Sequence, residues 1–366
     1  MKVLLLFFFL FSFQRAQARL YFEDASSPEF ITSARALAMG NAYMSKVDDG
    51  WSAFYNPAGL GTVRKLQLHL TNIHLETNNG FLDITGGSGS FFQSVNNYSD
   101  AFTANGVRSL LADNPGNISH ARFNFFPNVT FRGITLGYLY AQQQRARIAD
   151  LTSPFEIAER VDSGPVMALS ASLFGGVLKF GVSAVLLTRK EMWKDIAAAD
   201  PTTIDKNTDY KKGTMTHLTG GVRLTLPVFM LPTFSVVVRN SSQSQWYAPE
   251  MGGVPDTIPQ TVDAALSVTP FTARTGRMHL EIAAKDIGNR YSDVPNNRKV
   301  VAGLEFDVLR HFFFRGGYGD GWGSGGIGVR NDKFIFDLTT YAVEASLDGY
   351  RQEEDRRYVL NMAMGF

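Results

Sequence analysis

The sequence predicts an all-β protein: a transmembrane antiparallel β-barrel of about fourteen strands, with a small amino-terminal segment folded into its lumen. Three observations predict it. From Lys65 onward apolar and polar residues alternate at period two, and the connections between the alternating stretches are by turns short and long. After Ala18 no stretch approaches the roughly 18 consecutive apolar residues of a membrane-spanning helix, which leaves a closed barrel as the way across a bilayer.

Composition narrows the function classes. Cysteine is absent, which excludes disulfides, thiolate metal sites and cysteine nucleophiles. Thirty-five basic residues against 34 acidic ones give a net charge of +1, so electrostatics offers no case for nucleic acid as a partner. The 29 Phe, 13 Tyr and 34 Gly suit a wall with aromatic girdles and crowded strands.

Residues 1–18 read as a signal peptide. Lys2 precedes the apolar run Val3–Phe13, and Ala16-Gln17-Ala18 is the small-x-small pattern of a cleavage site, so the mature chain is expected to start at Arg19. Residues 19–63 follow as a tightly packed segment. It carries the run Ser33–Ala42, ending in Met39, Gly40, Asn41 and Ala42, then Asp48-Asp49, then Asn56-Pro57-Ala58-Gly59-Leu60. Ala and Gly allow backbones to approach, Asp48 or Asp49 can cap a short helix, and Pro57 keeps Asn56 extended. A plug inside a pore needs these properties; an ordered periplasmic lead-in to the first strand is the alternative.

The barrel is assigned to residues 64–366. Strands are expected near 65–75, 120–131, 133–148, 155–172, 177–193, 213–228, 232–244, 257–271, 275–285, 298–309, 312–319, 325–331, 333–345 and 356–366. The last shows the alternation best: Tyr358, Leu360, Met362, Met364 and Phe366 fall on one face, Val359, Asn361, Ala363 and Gly365 on the other. A soluble sandwich alternates too, and connection lengths separate the two. The turns at Arg132-Gly133, Phe174–Gly176, Val228–Leu231, Thr272–Arg274, Arg310-His311 and Asn331-Asp332 are short. Between them come longer connections such as 76–119, 194–212, 245–256, 286–297 and 346–355, as in outer-membrane barrels with tight periplasmic turns and long outer loops. An even strand count puts both ends on the periplasmic side. Lys179, Arg223, Arg239, Asp263, Glu281, Glu305, Arg315 and Asp337 share the polar faces, and a midplane Arg or Lys facing lipid would cost about 2–4 kcal/mol. These groups are therefore expected to point into the lumen and brace it by ion pairs.

The pattern Ala-Arg-Ala-x-x-Met-Gly at Ala34–Gly40, the pair Asp48-Asp49 and the element Asn56–Leu60 together resemble the FadL-type outer-membrane superfamily, which includes long-chain fatty acid transporters and PorV-like and TraF-like barrels. The motifs cover about thirty residues; the strand count extends the likeness loosely along the rest. The resemblance implies a hatch in the lumen, to which it assigns Arg35, Gly40, Asp48, Asp49, Asn56, Pro57 and Ala58. It also implies passage of hydrophobic ligands through the wall at a strand irregularity. Pro127 in the second strand and Gly164-Pro165 in the fourth are the candidates for such a lateral opening, since a proline removes a ladder hydrogen bond. Pro127 is preferred because it lies beside the third strand, which itself carries only Gly137.

The long outer loop offers an apolar stripe, Phe91, Val95, Tyr98 and Phe102, followed by Val107, Leu110 and Leu111, suggesting an amphipathic helix. With Trp193 and Trp246 it is the candidate ligand groove; packing over the barrel mouth is the alternative. Gly321–Gly326 satisfies the spacing of a dinucleotide-binding loop but lacks the strand-turn-helix context, and reads as a loop. The six histidines show no metal-ligand spacing, and no nucleophile elbow is present. The expectation is therefore a non-enzyme without cofactor or metal, in the outer membrane of a Gram-negative bacterium. It would take up a small hydrophobic compound such as a long-chain fatty acid. The rival is a PorV-like adaptor that binds a secreted or surface protein. Membrane lipid and the barrel assembly machinery, through Phe366, are the other expected partners.

Overall fold

The computed structural model describes residues 30–86, 97, 100–150, 152–243, 245–273, 275–331, 333–346 and 349–365. The signal segment, Phe91, Val95, Tyr98 and Phe366 lie outside the described residues. Fourteen antiparallel strands follow one another round a single sheet that closes on itself, and among the described residues a further short strand, Tyr247–Met251, pairs off this ring with Lys211–Thr214. The ring strands are β1 (Gln67–Asn78), β2 (Ile118–Phe125 and Asn128–Phe131, one strand interrupted at Phe126-Pro127), β3 (Ile134–Ile148), β4 (Phe155–Leu173), β5 (Leu178–Ile196), β6 (Lys211–Thr225), β7 (Thr233–Arg239), β8 (Thr261–Thr272), β9 (Gly276–Ala284), β10 (Val300–Val308), β11 (Phe312–Gly319), β12 (Trp322–Arg330), β13 (Phe334–Glu344) and β14 (Glu354–Gly365). Each pairs with the next, and β14 pairs with β1 from Asn78↔Arg357 down to His69↔Gly365. A closed ring leaves no sheet edge to be satisfied.

The alternation in the sequence sets the two faces. On β13 Leu338 is half exposed while Asp337 and Thr339 are buried; on β9 Ile282 is exposed while Glu281 and Ala283 are buried. The exterior is thus apolar and the interior ionic, the reverse of a soluble sandwich, and such an exterior has its favourable contacts with lipid. Among the described residues no helix is long and apolar enough to cross a membrane.

Leu66, just before β1, and Leu68 and Leu70 on it point outward at period two, but the next outward residues are Ile73 and Leu75. A bulge between His69 and Thr71 inserts one extra residue against β14 and resets the parity, so apolar side chains stay outside along the whole strand. The Gly321–Gly326 stretch, read as a loop in the sequence, is largely strand: β12 begins at Trp322, after a tight turn in which Asp320 and Gly321 have positive φ. One of its glycines, Gly326, is required by what packs on it. A Cβ at Gly326 would lie 2.9 Å from that of Ala38.

On the outer side the strands β3 to β5 rise above their neighbours and carry a cap. Helix α4 (Ala104–Asp113; α1, α2 and α3 are Ala34–Ala38, Ser52–Tyr55 and Asn79–Thr85) buries Val107 and Leu111 against Ile148, Phe155, Met192 and Ile196. Thr103 caps it, its hydroxyl accepting from the Gly106 N–H at 3.1 Å.

Candidate functional site

The chain from Phe30 to Val63 lies inside the ring of strands. Its length is made of short helices because it must turn repeatedly within the lumen: α1, α2 and a 3₁₀ turn at Pro57–Thr62. Asn56 starts the last of these, extended at φ −163°, with its Oδ1 accepting from the Ala58 N–H at 3.1 Å and its amide donating to the Met44 carbonyl at 3.1 Å. Small residues on the wall make room. A Cβ at Gly181 would sit 2.2 Å from the Pro57 carbonyl carbon, and one at Gly317 only 2.1 Å from that of Met39. Gly40 itself, with φ +61°, presses its backbone on Tyr318.

Ion pairs tie this segment to the wall. Arg35 on α1 grips Glu305 of β10 with two bonds of 2.6 and 2.7 Å, and one of its terminal nitrogens also donates to Tyr43 and Asp48, each at 2.8 Å. Glu305 also accepts from Arg315 at 2.9 Å, which reaches Asp337 at 2.5 Å, and Lys46 lies 3.6 Å from it. Around the ring, Glu281 accepts from the Ser45 N–H at 3.1 Å and Arg223 donates to the carbonyls of Met44 and Val47 at 3.1 and 2.9 Å. Arg239 bonds both Asp263, at 3.0 Å, and the Phe54 carbonyl. Asp49 accepts from the Trp51 N–H at 3.1 Å and faces Arg330 at 3.7 Å. Burial pushes the Lys46 ammonium down to about 8. Burial opposes the Asp48 carboxylate as well, yet Arg35 and Lys46 outweigh it and hold its pKa well below the usual range.

At mid-height the lumen changes character. Phe126 of β2, Leu139 of β3, Val166 of β4, Val185 and Leu187 of β5 and Met215 of β6 all point inward, and the segment meets them with Trp51, Phe54 and Leu60. Phe126 is the keystone, its ring 5.0 Å from that of Phe54 and 5.5 Å from that of Trp51. On the outer side of this cluster Phe30, Phe54, His217, Ile258 and Tyr291 line a cavity of 20 Å³, room for one or two waters.

The wall beside this sector is interrupted. Pro127 lies in a cross-strand row with Tyr138 of β3, whose N–H donates to the Pro127 carbonyl at 3.1 Å, and Tyr138 pairs on its other side with Pro165 of β4. The two proline sites, distant in sequence, flank one residue. Between β4 and β5 the ladder runs Ser163↔Thr188 and resumes at Val166↔Val185 without a change of register, leaving Gly164 and Pro165 unpaired toward β5. Gly164 is pressed on that strand, since a Cβ there would lie 1.9 Å from the Leu186 carbonyl oxygen. Inward from the row lie Phe126, Leu139, Val166 and Leu187, so the apolar sector and the interrupted wall coincide.

The groove residues are not gathered in one place. Phe102 is 59% exposed with its ring 5.6 Å from Phe81. Trp193, 36% exposed high on β5, shares the strand face of Arg189 and Glu191, and Trp246 packs on the central lumen cluster, its indole donating to the Asp256 carbonyl at 3.0 Å and Arg189 lying over its ring. The loop stripe at Val107 and Leu111 is covered by the strands it caps. The inward apolar residues of β2 to β6 escaped the sequence reading. Their signal was there, in apolar side chains on both faces of those strands at mid-length, a pattern of strands covered on both sides.

No protein-family model matches the chain, and no curated protein matches it. It is similar to solved β-barrels. The toluene transporter TbuX of Ralstonia pickettii aligns over 92% of this chain and 98% of its own, at 11% identity and TM-score 0.48. The toluene transporter TodX of P. putida does so over 92% and 98%, at 10% and 0.48. CdiB from Acinetobacter baumannii aligns over 83% of this chain, which spans 60% of CdiB, at 10% and 0.36. At such scores these likenesses carry no functional weight. The fold itself agrees with the FadL-type resemblance of the sequence: a closed fourteen-strand barrel with the motif-bearing segment inside it.

Proposed function

We propose that the protein is an outer-membrane barrel of a Gram-negative cell that passes a small hydrophobic compound inward, with the segment around Arg35–Ala58 acting as its hatch. One observation carries the reading: the apolar mid-lumen sector on β2 to β6 ends at the row Pro127–Tyr138–Pro165, where the wall has lost ladder bonds. A polar solute gains nothing from an aromatic lining, whereas an apolar one trades water for Phe126, Phe54 and Leu139 and meets lipid through the weakest part of the wall. The lumen is filled at rest, so passage requires the hatch to shift, and its ionic anchors set how readily it does.

The test is uptake of toluene or a long-chain fatty acid into proteoliposomes. Pro127→Val with Pro165→Val returns two N–H donors to the ladders and is expected to slow uptake by about ten-fold or more, the cost of roughly one restored hydrogen bond per site. Uptake by the wild type no faster than by empty liposomes would sink the reading. The raised outer portion of β3 to β5 with its α4 cap supports a second reading, an adaptor for a secreted or surface protein. A partner that copurifies through this cap, with no uptake, would establish it.

A further inference from the structure

The outer face of the barrel carries a concavity of 760 Å³ that the hatch and the uptake reading do not use. It lies on the periplasmic half of β3 to β7. Its floor is Gly220 and Ala171, and Leu169, Phe180, Val182 and Val236 stand round it. Gly220 points outward, and a Cβ there would meet nothing within 4 Å, so the glycine is required by no neighbour in the protein. At the periplasmic rim stands Arg132, in the turn between β2 and β3 at φ +40°, exposed, with the Phe131 ring 5.2 Å from its guanidinium. Among the described residues it has no carboxylate partner.

Depth decides what would meet that guanidinium. The neighbouring turns end in Phe174 and Phe229, exposed by 77% and 80%, and the chain at Gly133 accepts from the Ser170 N–H at 2.7 Å, several residues up β4 from Phe174. Arg132 thus stands above the level of those tips, and with the tips seated in the inner leaflet, as aromatic residues seat at a membrane interface, its guanidinium would meet lipid. A cation there requires an anion, and an Arg fork matches a phosphate with two parallel hydrogen bonds. The groove continues upward from it, lined mainly by apolar side chains and within the size range of drug-like ligand sites, about 300–1,000 Å³.

We propose that this groove is a specific site for one glycerophospholipid of the inner leaflet, an acyl chain lying over Gly220 and Ala171 and the phosphate held by Arg132. The proposal needs the barrel to sit in a membrane but is independent of transport, so its failure and that of the uptake reading are separable.

The test is native mass spectrometry of the full chain released from phosphatidylglycerol nanodiscs doped with diacylglycerol, with added inorganic phosphate as a separate arm. The wild type is expected to retain one phosphatidylglycerol. Gly220→Leu, which fills the groove, and Arg132→Gln, which removes the fork, are each expected to lower the retained fraction by about ten-fold, the loss of one charge-assisted bond or one buried chain segment. Heat-modifiable gel migration confirms that each variant is a folded barrel; should the Leu variant not fold, Gly220→Ser supplies the groove arm. Equal retention by wild type and both variants would overturn the site. So would equal retention of diacylglycerol and phosphatidylglycerol by the wild type, or displacement of the lipid by inorganic phosphate alone.

Discussion

Glu305→Gln tests whether the lumen segment is held by its charges. Glu305 is the shared anion of three cations, with side-chain exposures of 1% for Glu305 and 4% for Arg35. Removing one partner of a buried pair costs about 3–5 kcal/mol because the other charge is left without compensation. Here the low end applies: Arg315 keeps Asp337 at 2.5 Å and Arg35 keeps Asp48 at 2.8 Å. A loss of about 3 kcal/mol makes undocking of the segment about a hundred-fold more frequent. Hydrogen exchange followed by mass spectrometry reads it directly. Peptides covering Ser33–Asn56 are expected to exchange about a hundred-fold faster while peptides from β10 and β11 keep their protection, because the ladder bonds of those strands do not involve the carboxylate. The double variant Arg35→Met with Glu305→Leu, which removes both charges, is expected to cost less than the two single changes together. If Ser33–Asn56 stays as protected as in the wild type, or if the strands lose protection equally, the carboxylate does not hold the hatch.

Three further outcomes are expected. Gly181→Ala puts a methyl onto the Pro57 backbone, at 2.2 Å from its carbonyl carbon, and is expected to leave a heat-modifiable barrel whose segment trypsin cuts at Lys46, which is buried in the wild type and expected to resist there; equal resistance in the two would contradict the close packing. Burial lowers the Lys46 pKa to about 8 from 10.5, so between those values the unfolded chain holds a proton the folded one has lost, and stability rises with pH through that window. Lys46→Met is therefore expected to have a higher urea midpoint than the wild type at pH 7 and a narrower lead at pH 10.5; a lead that is the same at both would refute the burial. Leu338→Arg, at an outward position 48% exposed in the described structure, is expected to cost about 2–4 kcal/mol of folding stability in bilayers, while a loss within error would show that this face does not meet lipid.

What was legible in the sequence is what local pattern encodes. Alternation on a strand fixes which side chains share a face, and it distinguished Glu281 and Glu305 from Leu280 and Leu304 without any knowledge of their neighbours. Loop lengths gave the order of hairpins, and the small residues from Ala34 to Gly40 announced a segment packed at close range. Where two local signals conflicted the reading failed. The glycines of Gly321–Gly326 look like a loop by propensity, yet from Gly323 on they pair with β11, and at Gly326 a side chain would strike Ala38 of α1. The parity change after Leu70 lies at a bulge, seen only in the pairing of β1 with β14.

The amino-acid sequence by itself determined the class of fold, the sidedness of each strand and the ionic character of the interior, since each depends on residues within a few positions of one another. Only the tertiary structure decided which partner each charge takes and that Pro127 and Pro165, 38 positions apart, flank Tyr138 in one row. It also decided that a mostly polar lumen has an apolar sector at that height. These are properties of strand register and ring closure, and register is set by the sum of many weak cross-strand contacts that no short stretch of sequence contains.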